Sequence, residues 1–377
     1  MNGRKAGSGM NIKRIKLHLI TMPLKSPFNT HLQKVERREG IIIEAVDRDG
    51  VTGLGEVVAF STPWYTEETV KTCYHMLKDV LIPLIESHGL AHPRELGMMF
   101  QSVRGNAMAK ASLEMAIWDL YARQLDTPLW NLLGGTRRSV LAGAVVGANG
   151  TQAMIDQAKG LLEEGYERIK VKISKGEDIE IVRALRAAFP SLALLADANS
   201  AYGLQDADHL KELDEFGLEM IEQPLGVDDL VEHSILQGRI NTPICLDESI
   251  VTPHDMKSAI HLNSCGVVNL KLGRVGGYNP ALEIYQLCQD NGIKLWCGGM
   301  IEFGVSRAHN ICLATLDGFS IPGDISSSSK YWEEDIIDTP IVVEKGSVQR
   351  FEKPGIGVGL NEKRMNEVTS FTEEFSL

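Results

Sequence analysis

From residue 12 to residue 58, apolar and polar positions alternate, as in KRIKLHLI (13–20) and GIIIEAVDRDGVTGLGEVV (40–58). A period of two predicts half-buried strands, and the turn at Arg48, Asp49 and Gly50 predicts an antiparallel meander. The polar, turn-rich stretch 23–39 between these runs reads as a mobile loop. The period then becomes helical over 67–85 and 106–124. In the second of these, Leu113, Ile117 and Leu120 fall at i, i+4 and i+7, with Glu114 turned away from their face. From about Leu141 to about residue 325, short apolar runs alternate with helix-length segments, which is the pattern of βα units. The stretch 341–360 reads as a short, β-rich tail.

Within the alternating region five charged residues recur almost in phase: Lys172, Asp197, Glu222, Asp247 and Lys271, at spacings of 25, 25, 25 and 24. Each closes or directly follows an apolar run (RIKVK, ALLAD, EMIE, ICLD, VVNLK). A strand, a loop, a helix of about 10–12 residues and a second loop add up to this period. The charges therefore fall at the carboxyl ends of successive parallel strands, where such folds build their sites. Asp is common at strand ends and helix starts for reasons of capping alone. Three consecutive carboxylates are harder to explain that way, because acids that converge repel unless a cation neutralises them. VLAGAVVG near Leu141, IKLWCGG near Gly298 and FSIPGDIS near Phe319 supply a first, a seventh and an eighth strand. The economical fold is an α+β domain followed by a parallel barrel.

Composition narrows the setting. The 377 residues suffice for two domains, and a formal charge of −12 argues against nucleic acid or an anionic membrane as partner. No apolar run approaches the length of a membrane span, and the N-terminal residues lack the apolar core of a secretory signal. Residues 1–9 read as an extension. Six cysteines form no C-x-x-C pair, so buried thiols and a cytoplasmic location are expected. There is no HExxH motif and no Cys/His cluster for zinc.

Asp197, Glu222 and Asp247 are hard oxygen donors, which favours Mg2+ with Mn2+ as a substitute. Lys172 and Lys271 flank them, and Lys170 shares a strand face with Lys172. A lysine acts as a base only if its pKa falls from about 10.4 toward 7–8, and a second ammonium or a dication pushes it that way. Metal plus lysines suits removal of a proton α to a carboxylate, where the dication stabilises the enediolate. A Schiff-base lyase using either lysine, or a non-catalytic binding protein, would use parts of the same pattern. GRVGG at 273–277 reads as a tight strand-to-helix turn in preference to a phosphate cradle. Phe28, Phe60, Trp64 and Tyr65 are candidates for an aromatic cover over the site.

KVK (170–172), DAN (197–199), EQP (222–224), DES (247–249) and KLGR (271–274), in this order, resemble the enolase superfamily, muconate-lactonizing subgroup. The segment 111–135 resembles the helix that leads from that family's capping domain into its barrel. Arg274, GGMIEFGVSRAHN (298–310), IPGDISSS (321–328) and the loop 61–67 are most similar to the o-succinylbenzoate synthases and N-succinylamino acid racemases.

The resemblance implies an α/β fold, a modified TIM (β/α) barrel with an N-terminal α+β capping domain. The expected parts are a capping domain at 10–135, a barrel at 136–335 and a C-terminal segment at 336–377 that packs back on the cap. It further implies a metal held by Asp197, Glu222 and Asp247, with Lys172 and Lys271 as acid/base residues. Lys170, Asn199, Glu248, Arg274, Gly298, Gly299, Met300, Phe28, Phe60 and Trp64 are implied to support the site or bind substrate. The implied activity is the syn dehydration that forms o-succinylbenzoate in menaquinone biosynthesis, or racemisation of N-acylamino acids, with dipeptide epimerisation as a further alternative. The substrate is a small carboxylate, and the protein is expected to be a homo-oligomer. Two positions depart from the family's pattern: Phe303 is large where relatives have a small or polar residue, and Val145 stands where a Ser is frequent. Both are expected near the substrate pocket.

Overall fold

A computed structural model of the chain describes residues 9–29, 33–148 and 150–377. The N-terminal extension expected at 1–9 lies, but for Gly9, outside the described residues. Strands β1 (Ile12–Asn29), β2 (Lys34–Asp47) and β3 (Thr52–Val57) form the predicted antiparallel meander. The stretch expected to be a mobile loop belongs largely to the sheet: β1 and β2 extend through most of it, pairing Phe28 with Val35. Strict alternation is lost there because only a few of its residues turn inward, among them Val35 and the polar Arg38, so polar composition carries no information about pairing.

The helix Ala107–Gln124 lies directly against β3. Gly53 and Gly55 permit this, since a Cβ on either would come within 2.2 Å of the helix backbone. Leu113, Ile117 and Leu120 face the cap core, as their spacing predicts, while Ala111, Met115 and Trp118 face the barrel core. Glu114 is therefore buried, not turned to solvent. It accepts from the backbone N of Asn279 at 2.6 Å and from Trp118 Nε1 at 3.3 Å, so it caps the start of the helix Tyr278–Asp290. A helix wedged between two cores has no free face, which a single apolar stripe does not reveal.

Short β4 (Ser139–Leu141) precedes seven parallel strands. These are β5 (Ala144–Val146), β6 (Arg168–Lys172), β7 (Ala193–Asp197), β8 (Met220–Glu222), β9 (Ile244–Leu246), β10 (Val267–Leu270) and β11 (Lys294–Cys297). Inward residues alternate with outward ones. Leu195, Met220, Cys245, Val267 and Trp296 fill the floor of the barrel, while Leu194, Ile221, Ile244 and Val268 face the helices. The expected eighth strand near Phe319 does not form. Residues 319–324 fill its position with single parallel bridges, Leu295 to Phe319 on one side and Ala142 to Gly323 on the other. Pro322 has no N–H to give a ladder, so a regular strand cannot run through it.

The tail 341–360 holds only one three-residue strand, β12 (Ser347–Gln349), which pairs with β4. The β-rich segment lies further on: β13 (Thr369–Ser376) adds to the edge of the cap sheet beside β1. Among the described residues no helix is long and apolar enough to cross a membrane.

Candidate active site

Strand register explains the 25-residue period. Lys172 pairs with Asp197 and Asp197 with Glu222, so these three stand at one level. Glu222 pairs with Cys245, which pairs with Val267, so Asp247 sits two residues above that row and Lys271 four. The stagger of a barrel thus lifts the later charges toward the rim. With 319–324 as the eighth member of the ring, β6 and β10 are four positions apart. Lys172 and Lys271 approach the centre from opposite sides.

The strand ends leave regular geometry where they carry these groups. Asn199 (φ 42°), Ser200 (φ 63°), Gln223 (φ 40°) and Ile301 (φ 55°) all have left-handed backbones. For a β-branched residue such as Ile301 this conformation is costly, and such residues collect at functional sites. At Asn199 it aims the side-chain oxygen at the Lys172 ammonium, which donates to it. Gln223 Oε1 accepts from the backbone N of Asp247 at 3.0 Å, fixing the turn above β9.

Lys170 is buried among acids, with Nζ 2.8 Å from Asp324, 3.1 Å from Glu222 and 3.4 Å from Asp197. Lys271 Nζ is 2.8 Å from Asp247 and 2.9 Å from the Tyr65 hydroxyl. Arg274 lies behind Asp247 and donates to it, and to Tyr65 at 3.2 Å. Asn269 Nδ2 donates to Glu222 at 2.7 Å.

Burial alone would lower the lysine pKa values. Asp324, Glu222 and Asp197 overcome it at Lys170, and Tyr65, Glu248 and Glu222 do so at Lys271, so both ammoniums are held above the ordinary lysine range. The downward shift expected for a lysine base is therefore absent at these two, because carboxylates outnumber cations around them. Glu222 is pushed up by burial and then by Asp197, while Asp197 is lowered despite burial by Lys170 and Lys172.

The three expected metal donors are bridged by cations and not gathered round one point. Among the described residues no three Asp, Glu, His or Cys side chains have the spacing to hold one ion. Their chemistry nonetheless suits a hard dication: all are buried oxygen donors at the ends of adjacent strands, and the charge of Asp197 pushes up the pKa of Glu222. Glu248 adds a buried carboxylate oxygen, Oε2, with no hydrogen-bond partner in this region.

A cavity of about 350 Å³ opens above these groups. Of the residues singled out in the sequence, Lys170, Lys172, Asp197, Asn199, Asp247, Glu248, Lys271, Gly299, Met300, Phe28, Phe60 and Trp64 line it. Glu222, Arg274 and Gly298 lie one layer below. Gly298 leaves room for Lys271, since a Cβ there would fall 2.6 Å from Lys271 Cε and 2.2 Å from Asn269 Oδ1. Val145 lines the cavity as expected, but Phe303 does not: it is fully buried against Trp332.

Sequence reasoning passed over Asp324, Asn269, Ser200, Lys330 and Tyr331, and treated Tyr65 only as cover. Asp324 had a usable signal, since it follows Gly298 by 26 residues and continues the period. Tyr65 reaches the floor from the cap, and no spacing rule connects the two domains.

The cap is locked onto this rim. Arg38, fully buried in β2, donates to the carbonyls of Ile301 (3.3 Å), Ala59 (2.6 Å) and Val58, with its guanidinium 4.3 Å from the centre of the Phe60 ring. Glu56 on β3 accepts from the backbone N of Phe303 and Ser306, capping the helix Gly304–Ala314.

Comparison with known proteins agrees with this architecture. Residues 14–134 match the mandelate racemase/muconate lactonizing enzyme N-terminal domain, and residues 153–364 the enolase C-terminal domain-like family. The chain is 49% identical to an o-succinylbenzoate synthase of Geobacillus stearothermophilus, over 97% of this chain and 98% of that one. It is 44% identical to an N-succinylamino acid racemase of Thermus thermophilus, over 96% and 98%. A crystal structure of an enolase-superfamily member from Listeria innocua superposes with a TM-score of 0.95 at 40% identity, covering 97% of this chain and 99% of the other. Buried acids on adjacent strands, lysines on either side and a cap that closes the rim are thus the features of a chain that belongs to the enolase superfamily, in its mandelate racemase/muconate lactonizing branch.

Proposed function

We propose that this protein removes the proton α to a substrate carboxylate. Its main reaction is then the syn dehydration of 2-succinyl-6-hydroxy-2,4-cyclohexadiene-1-carboxylate to o-succinylbenzoate, a step of menaquinone biosynthesis, with N-succinylamino acid racemisation as a second reaction at the same site. The observation that carries this reading is the opposition of Lys172 and Lys271 across one cavity, four positions apart in a ring of eight. The names of the relatives at 49% and 44% identity support the choice of both reactions.

Asp197, Glu222 and Asp247 would hold Mg2+. When bound, the dication supplies positive charge that stabilises the charge developing on the substrate carboxylate and draws the field of the acids away from the lysines. Lys172 is the base. Its side chain is 31% exposed against 8% for Lys170 and 10% for Lys271, so it is the most open of the three to a substrate. Asn199 orients its Nζ. In the dehydration Lys172 takes the α-proton as a neutral amine, then returns that proton to the departing hydroxyl on the same face, releasing water. Lys271 stays an ammonium and stabilises the enediolate by its charge. In the racemisation each lysine serves one face of the α-carbon. Lys170 holds Asp197, Glu222 and Asp324 in place, and the aromatic wall of Phe60 and Trp64 keeps water from the acyl side.

Ultraviolet absorbance of the cyclohexadiene tests the reading. With Mg2+ present the absorbance is expected to fall rapidly, and either EDTA or Lys172→Ala should stop it. Turnover that persists in both, or none in the wild type, would refute it.

A further inference from the structure

The cavity is lined by four lysines. Three belong to the floor, where Lys170, Lys172 and Lys271 all lie against carboxylates. The fourth, Lys330, is exposed at the rim and is different in kind: among the described residues its ammonium meets no carboxylate and rests only near the Tyr331 ring, 5.4 Å from the centre. The lining also includes the apolar side chains Phe28, Val227 and Ile301 and the Tyr331 ring. The site thus combines a charged floor, apolar lining and one exposed cation without a carboxylate partner among the described residues.

The backbone beneath that cation is held firmly. Lys330 ends the 3-10 turn Ser328–Lys330, whose Ser328 hydroxyl donates to Asp335 at 2.6 Å and whose Ser328 N–H donates to Ile341 O at 2.9 Å. From the other side, the backbone N of Lys25 on β1 donates to Tyr331 O and its ammonium to Ser329 O, both at 3.0 Å. A long flexible side chain on a fixed base suits recognition of a charge at a set distance from the floor.

We propose that Lys330 is the ion-pair partner of the distal carboxylate of the substrate's acyl group, and so selects succinyl over neutral acyl groups. This rests on the function proposed above. Both reactions proposed there use a substrate with one carboxylate at the reacting carbon and a second at the end of a two-methylene chain. The floor accounts for the first carboxylate, the apolar lining for the methylenes, and Lys330 for the second carboxylate. Because this contact lies away from the reacting atoms, it is made equally before and during reaction and acts on binding, not on the chemical step.

Calorimetric dissociation constants, with Mg2+ present throughout, provide the test. The ligands are N-succinylphenylalanine and N-levulinoylphenylalanine, in which a methyl ketone replaces the distal carboxylate. The wild type is expected to prefer the succinyl ligand about fivefold, the upper range for an exposed ion pair. Lys330→Met should abolish the preference and Lys330→Arg should keep it. Lys257→Met, at an exposed lysine that pairs with Glu283 and does not line the cavity, should leave it unchanged. No preference in the wild type, or an undiminished one in Lys330→Met, would overturn the assignment. α-Proton exchange in D2O, run alongside, separates the two proposals. A Lys330-dependent preference without exchange overturns the reaction and keeps the Lys330 assignment; exchange with a preference that Lys330→Met leaves intact does the reverse.

Discussion

Gly298 decides where the Lys271 ammonium can go. A methyl group at this position would press on Lys271 Cε and on Asn269, the residue that donates to Glu222. Gly298→Ala is expected to lower turnover about 100-fold, because displacement of a reacting group by an ångström costs roughly that much. Its melting temperature should fall by only about 2–4 °C. Steady-state kinetics with a thermal melt checks this, and turnover near the wild-type rate would show that Lys271 does not need its observed path. The five charges were legible in the sequence because βα units of nearly constant length bring strand ends round at a constant interval. Asp324 shares that rhythm, but it follows a segment without regular strand structure and was missed. Tyr65 could not be found by spacing at all, since its contact with Lys271 joins residues 206 positions apart.

The junction between β3 and the helix Gly304–Ala314 gives a pH dependence that belongs to elements, not to the reaction. His309 is fully buried, its Nε2–H donating to the Leu54 carbonyl at 2.8 Å and its Nδ1 accepting from the Tyr278 hydroxyl at 3.0 Å. Burial pushes its pKa down to about 4 from 6.5. Between those values the unfolded chain takes up a proton that the folded chain refuses. Stability is therefore full above pH 6.5 and is lost as pH falls toward 4, by on the order of 3 kcal/mol. Urea unfolding at pH 7 and pH 4.5 should show a smaller acid loss in His309→Gln than in the wild type; equal losses would contradict the assignment. At this scale the sequence was a partial guide. Period-two and period-3.6 patterns located the meander and the long helix, but a helix packed on both sides hid the burial of Glu114. The long ends of β1 and β2 read as loop because most of their residues are exposed and one of the few buried there, Arg38, is polar.

At the scale of the whole molecule, the barrel brings the chemistry and the cap completes its walls. Phe28, Phe60, Trp64 and Tyr65 come from the cap, and the charged floor from the barrel, with Arg38 and Glu56 holding the two in register. The order of domains was legible in the change from antiparallel alternation to βα repeats. Return of the chain to the cap through β13 was not legible in its details, because an edge strand on a solvated sheet has only a weak pattern. The central claim is that two lysines face the α-carbon from opposite sides of this assembled cavity. It is tested most directly by α-proton exchange of the separate L and D enantiomers of an N-succinylamino acid in D2O. Lys271→Ala is expected to exchange one enantiomer without racemising it, and Lys172→Ala to lose exchange of that same enantiomer. Exchange of both enantiomers at comparable rates in either variant would contradict the account.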